Sequence, residues 1–195
     1  RVLLDRGHDR PLPTQKALYY TYASAPYQLR LSLDDIVPSF DVLDRHVVLV
    51  REEDLAVEAE FELDVRDAPL RDATLLVPRG LIVAALSGPQ AADYTLRETA
   101  GDAPQEAVVH FSKPLLGRTL IKARLELGRS PLDRKQVIGG ISIRGAKSER
   151  GYLAIAAERS VQIETPVGTN LREVHTGSIP MRVPEAQFAY RYREP

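Results

Sequence analysis

The stretch from Val57 to Val65, VEAEFELDV, places a carboxylate at every second position: Glu58, Glu60, Glu62 and Asp64. Paired carboxylates are standard equipment for general acid–base chemistry. On an extended strand, residues two apart stand about 6.6–6.8 Å from one another. That falls within the roughly 6.5–9.5 Å used for inverting hydrolysis of a glycosidic bond. Such chemistry also needs a cleft, and one acid desolvated enough to hold its proton at neutral pH. A regular row along one strand face lies flat and wet instead. Calcium would suit hard oxygen ligands, but they must converge within about 2.3–2.6 Å of one ion, and a straight strand spreads them. The row is therefore expected to be the solvated face of a sheet. Lys122 and Arg124 of LIKARLEL are its expected cross-strand partners, each opposite-charge pair contributing roughly 0.2–1 kcal/mol.

The other reactive side chains form no motif. His8, His46, His110 and His175 are scattered, without HExxH or HxH spacing, and each reads as a surface or strand-face histidine. The serines lack a GxSxG elbow. In GAKSERG, Lys147 and Ser148 are adjacent and so point apart on extended backbone. VIGG, ending at Gly140, lacks the glycine spacing and following helix of a phosphate loop. Tyrosines make one cluster at the two ends of the chain, in YYTY and YRY. Tyr20, Tyr22, Tyr190 and Tyr192 are the candidate interaction surface, for instance a platform under sugar rings. There is no tryptophan to strengthen it, and part of the cluster must face a core, because Tyr19 and Tyr20 point to opposite sides.

The elements that would hold these residues have period two. YQLRLSL, VEAEFELDV and LIKARLEL alternate apolar with polar residues; GLIVAAL, EAVVHF, YLAIAAE, SVQIET and FAYRYR are shorter candidates. Pro69, Gly80, Gly88-Pro89, Gly101, Pro114, Gly117, Gly139-Gly140, Gly151 and Pro166 punctuate them. Turn signals at intervals of roughly 8–12 residues between short strands mark an antiparallel β-sandwich, immunoglobulin-like or larger. One turn of helix is the exception expected, near Pro38 to Leu43.

Composition bounds the function classes. The 195 residues are 44% hydrophobic, enough for a real core, and carry 26 basic against 27 acidic side chains, a net charge of −1. No charge excess drives binding to nucleic acid. Cysteine is absent, which removes disulfides, thiol catalysis and thiolate metal sites. No apolar run reaches the roughly 20 residues of a membrane span. The chain begins with Arg1 and is read as a piece of a longer protein.

ALYYTYASAP, Ala17 to Pro26, aligns without gaps on AQFAYRYREP, Ala186 to Pro195. This echo points to a unit spanning residues 1–170, with 171–195 either opening a second copy or completing the same sandwich. GYLAIAAERSVQIETPVGTNLREVHTGSIP and the AQFAYRYREP that follows resemble repeats of large uncharacterised bacterial cell-envelope proteins. LLVPRGLIVAALSGPQAADYTL and VVHFSKPLLGRTLIKARLEL look like their β-sandwich segments, with a strand, glycine loop, strand hairpin in the second. The resemblance implies a non-catalytic structural or adhesive module outside the cytoplasm. Its partners would be neighbouring domains of the same polypeptide, with weak self-association through edge strands, and its cofactors none. An accessory sandwich of a multidomain hydrolase or peptidase, or a carbohydrate-binding module, is the alternative.

Overall fold

Alternation of apolar and polar side chains becomes strand almost everywhere in the computed structural model of this chain, which describes residues 23–26, 28, 30, 32, 36–128, 135–164 and 168–193. Contacts divide the chain between Asp35 and Ile36. The account below concerns the second unit.

Among the described residues nine strands run in chain order: β1 (Ser39–Val50), β2 (Asp54–Val77), β3 (Ile82–Ser87), β4 (Ala91–Arg97), β5 (Gln105–Gly128), β6 (Ser142–Ile143), β7 (Ser148–Ala157), β8 (Arg172–Val174) and β9 (Ala186–Arg193). All are joined in one hydrogen-bonded network ordered β3-β5-β2-β1-β7-β9-β8, with β4 added to β5 and β6 to β2. The all-β sandwich-like class expected from the sequence is present. The pairing is mixed: β1 and β7 run parallel, from Asp41 opposite Ser148 to Val50 opposite Ala157, and the other pairs are antiparallel.

Two strands of 24 residues each, β2 and β5, build both layers. They pair from Asp54 opposite Gly128 to Val65 opposite Gly117, shift register, and resume from Leu70 to Val77 against Leu115 to Gln105. The bend is written in the backbone: Asp67 has φ 65° and Gly117 φ 88°, and Pro69 lies between the two registers. A left-handed residue beside a lost ladder bond is how a bulge turns a strand from one sheet into another. The hairpin read in VVHFSKPLLGRTLIKARLEL is therefore one bent strand, because Gly117 and Pro114 mark a bulge and not a chain reversal.

The first half of β2 and the second half of β5 belong to the broad layer with β3, β1, β7, β9 and β8; the second half of β2 and the first half of β5 form a narrow layer with β4 and β6. One apolar cluster joins them, including Phe61, Leu63 and Ile121 of the first layer and Leu75, Val77 and Val109 of the second. The helical turn expected near Pro38 to Leu43 is strand β1. Its inward set is Phe40, Val42, Asp44, His46 and Val48, so two polar residues interrupt the apolar stripe by which a strand is recognised.

β8 and β9 belong to this same sheet, and β9 is paired on both sides, by β7 and by β8. The compact unit therefore runs through residues 171–195. The contacts place no break at 170, because β9 pairs with β7 inside the same sheet.

Candidate functional site

The acidic row lies where its spacing put it. Val57, Ala59, Phe61, Leu63 and Val65 are buried, while the acids face outward across from β5, with Glu58 opposite Arg124 and Glu60 opposite Lys122. Lys122 Nζ lies 2.6 Å from Glu60. On the other flank β1 contributes Arg45, 3.1 Å from Glu62 and 3.9 Å from Glu60. Arg124 turns instead to Glu126 on its own strand, at 3.2 Å. A hydrogen bond from the Arg66 guanidinium, at 2.8 Å, holds the Asp64 carboxyl below the usual carboxylate range. No group of three or more metal-ligating side chains occurs among the described residues.

A second polar chain crosses the narrow layer, and no sequence spacing announced it. His110 on β5 stands opposite Asp72 on β2 and Asp93 on β4. Its Nδ1 lies 2.6 Å from Asp72 Oδ1 and its Nε2 3.0 Å from Thr95 Oγ1. Carboxylate, imidazole and hydroxyl in that order are the connectivity of an activated nucleophile. Acyl transfer also needs donors aimed at a developing oxyanion and a cleft to exclude water. Here the side chains are half exposed on a strand face, and adjacent strands have committed their amides to the ladder.

The buried chemistry lies under β1. Asp44, His46, Glu149 and Tyr192 are all enclosed, Asp44 completely. Register explains their meeting: Asp44 stands opposite Gly151, and Gly151 opposite Tyr192. With no side chain at Gly151, the phenol crosses the middle strand, and its oxygen lies 3.3 Å from Asp44 Oδ2 and 3.2 Å from His46 Nδ1. A Cβ at Gly151 would sit 2.5 Å from the Tyr192 oxygen and 2.8 Å from Asp44 Cβ. Glu149 accepts the Ile143 amide at 3.2 Å.

Burial, then the neighbouring Glu149 carboxylate, pushes the Asp44 pKa up to about 9. Burial also raises Glu149. It lowers His46 to about 4 and drives Tyr192 far above the ordinary phenol range. At neutral pH Asp44 thus holds a proton and His46 is neutral. The protonated Asp44 carboxyl shares a hydrogen bond with Glu149, and His46 Nε2 has no hydrogen-bond partner.

Of the tyrosines expected to form an outward platform, Tyr190 and Tyr192 are only 6% exposed. Register puts them on the inner face, with Tyr190 opposite Leu153 and Tyr192 opposite Gly151, in line with His46 and Asp44. Tyr20 and Tyr22 lie outside the described residues, as does most of YQLRLSL. Tyr190, Tyr192 and His46 line a cavity of about 450 Å³ with Leu153, Ile155 and Leu171. The strand-face placement expected of the histidines holds for His46, but on the inner face. Among the described residues no helix is long and apolar enough to cross a membrane.

No family model matches this chain, and no curated protein matches it. Solved structures similar to it include an M1 zinc metallopeptidase from Deinococcus radiodurans, at 11% identity and a TM-score of 0.46, covering 80% of this chain and 39% of the metallopeptidase. Native yeast LTA4 hydrolase is similar at 11% identity and a TM-score of 0.49, covering 80% of this chain and 26% of the hydrolase. The chain thus spans well under half the length of either protein. Likeness at this level bears on neither activity nor substrate.

Proposed function

We propose that this chain is a non-catalytic β-domain of a larger polypeptide, acting as an accessory domain beside a hydrolase or peptidase. The observation that carries this reading is the disposition of its reactive groups. One set, Asp44, His46, Glu149 and Tyr192, is buried. The other, Asp72, His110 and Thr95, lies half exposed along a strand face, and Glu60, Glu62 and Asp64 of the acidic row are paired with flanking basic residues. None joins a nucleophile, a base and an oxyanion donor around one cleft, which acyl transfer requires.

The names of the solved structures above serve only to choose the first chemistry to try, peptide and ester hydrolysis. The test is hydrolysis of p-nitrophenyl acetate and of aminoacyl p-nitroanilides by the chain alone. The expected result is a rate no faster than an equal concentration of free imidazole, unchanged in Thr95→Ala. Turnover that disappears in Thr95→Ala and His110→Ala would overturn the non-catalytic reading.

A further inference from the structure

Register alone brings three reactive side chains together on the outer face of the narrow layer. His110 of β5 stands directly opposite Asp72 of β2 on one side and Asp93 of β4 on the other. Thr95, two residues beyond Asp93, is the diagonal neighbour of His110 on the same face. The hydrogen bonds cross all three strands, His110 Nδ1 with Asp72 Oδ1 at 2.6 Å and His110 Nε2 with Thr95 Oγ1 at 3.0 Å.

Those partners assign the protons. A carboxylate only accepts, so the Asp72 contact places the ring hydrogen of neutral His110 on Nδ1. Nε2 then carries the lone pair, and the Thr95 hydroxyl donates to it. Other described serine and threonine hydroxyls donate to weaker bases: Ser39 and Ser148 to the carboxylates of Asp67 and Asp41, Thr99 to backbone carbonyls, and Thr119 to the Gln90 amide oxygen. Among the described residues, Thr95 is the one set against an imidazole nitrogen. It is exposed on its strand, and the His110 side chain is 39% exposed, so a reagent in solvent reaches the oxygen without any opening of the fold.

We propose that Thr95 is a covalent acceptor site for small acyl groups delivered as activated esters or thioesters, with His110 Nε2 taking the proton and Asp72 positioning the ring. Thr95 Oγ1 attacks the carbonyl carbon as its proton passes to His110 Nε2. The bond to the leaving oxygen or sulfur breaks with its electron pair, the His110 proton follows the leaving group or returns to water, and an ester of Thr95 remains. The reaction stops at that ester. A threonine alkoxide leaves far less readily than a nitrophenolate or a thiolate, and the amides shared by β4 and β5 are committed to the ladder, so they cannot steady the adduct that hydrolysis requires. One acyl group per chain is modification and not turnover, and this site can fail without touching the accessory role.

The probe is p-nitrophenyl acetate, added to the full chain near neutral pH and followed by intact mass and peptide fragmentation. The expected product is one acetyl group on Thr95, removed by hydroxylamine as an ester is and an acetylated lysine is not. Its formation is expected to be roughly a hundredfold faster than acetylation of Ser148, at the lower end of what a positioned base contributes. Thr95→Ser is expected to keep the label and His110→Gln to lose it. Asp72→Asn, which offers an amide donor to Nδ1, is expected to slow labelling and to move the His110 imidazole nitrogen shifts to those of a ring protonated on Nε2, a signature that mere loss of packing would not give. Labelling of Thr95 no faster than of Ser148, or undiminished in a folded His110→Gln, overturns the proposal alone. Nitrophenolate released well beyond one equivalent and lost in Thr95→Ala overturns both the lasting ester and the non-catalytic reading, so the two failures are told apart.

Discussion

Asp44 and His46 carry opposite consequences for stability, although both are buried on one strand. Asp44 keeps its proton up to about pH 9 in the folded chain, whereas an unfolded carboxyl releases it near pH 4. Its contribution is fully present at low pH and is lost as pH rises to about 9. His46 titrates at about 4 when folded but near 6.5 when unfolded, so its contribution is lost as pH falls from 6.5 to 4. Between those limits the one-proton slope of His46 offsets that of Asp44. Above 6.5 Asp44 is unopposed, and Glu149, also raised by burial, acts in the same direction. Unfolding free energy, measured by urea titration, is expected to fall by roughly 1.4 kcal/mol per pH unit between pH 7 and 9. In Asp44→Asn that decline should be largely gone. A slope the substitution leaves intact would assign it to some other group. None of this was legible in the sequence. A polar residue at an inward strand position looks like a break in the strand until register shows what stands opposite.

At the scale of the element, VEAEFELDV was legible in full, because a two-residue period fixes both faces of a strand at once. Its neighbours Glu60 and Phe61 have opposite fates. The Glu60 ion pair with Lys122 is partly exposed on both sides, where such pairs contribute about 0–1 kcal/mol. Phe61 is fully enclosed in the main core and meets the His46 ring edge-on at 5.3 Å. Glu60→Gln is expected to change unfolding free energy by less than about 1 kcal/mol, and Phe61→Ala to lower it by about 3–5 kcal/mol. Comparable losses at the two positions would contradict the assignment of faces. Strand length was not legible. Pro69 and Gly117 carry the same local signal whether the chain reverses or only bends, and the distinction lies in cross-strand register, which pairs Val65 with Gly117 and then Leu70 with Leu115. The Asp72–His110–Thr95 chain was missed for the same reason. Three residues on three strands become neighbours only after β2, β5 and β4 are aligned.

At the scale of the whole molecule, the question is what the final segment does. The echo between ALYYTYASAP and AQFAYRYREP treats the last strand as the opening of another copy, free to dock elsewhere. In the structure β9 lies between β7 and β8 and contributes Ala189, Tyr190 and Tyr192 to the interior. Ala189 packs with Ala154 and Ile179 in a second apolar cluster, and Tyr192 holds Asp44 and His46. Removing residues 171–195 would leave β7 as an open edge, a pairing hazard in its own right. It would also leave the Asp44 carboxyl without its phenol partner, and unsatisfied buried groups cost about 1–3 kcal/mol each. Against a total stability of about 5–15 kcal/mol for a domain, the combined loss of strand, core and hydrogen bonds is too large to absorb. A chain ending at residue 170 is therefore expected to lose cooperative thermal unfolding and to aggregate on size-exclusion chromatography. A monomer with an unchanged transition would show that β9 is dispensable here and restore the reading of a strand destined for a neighbouring unit.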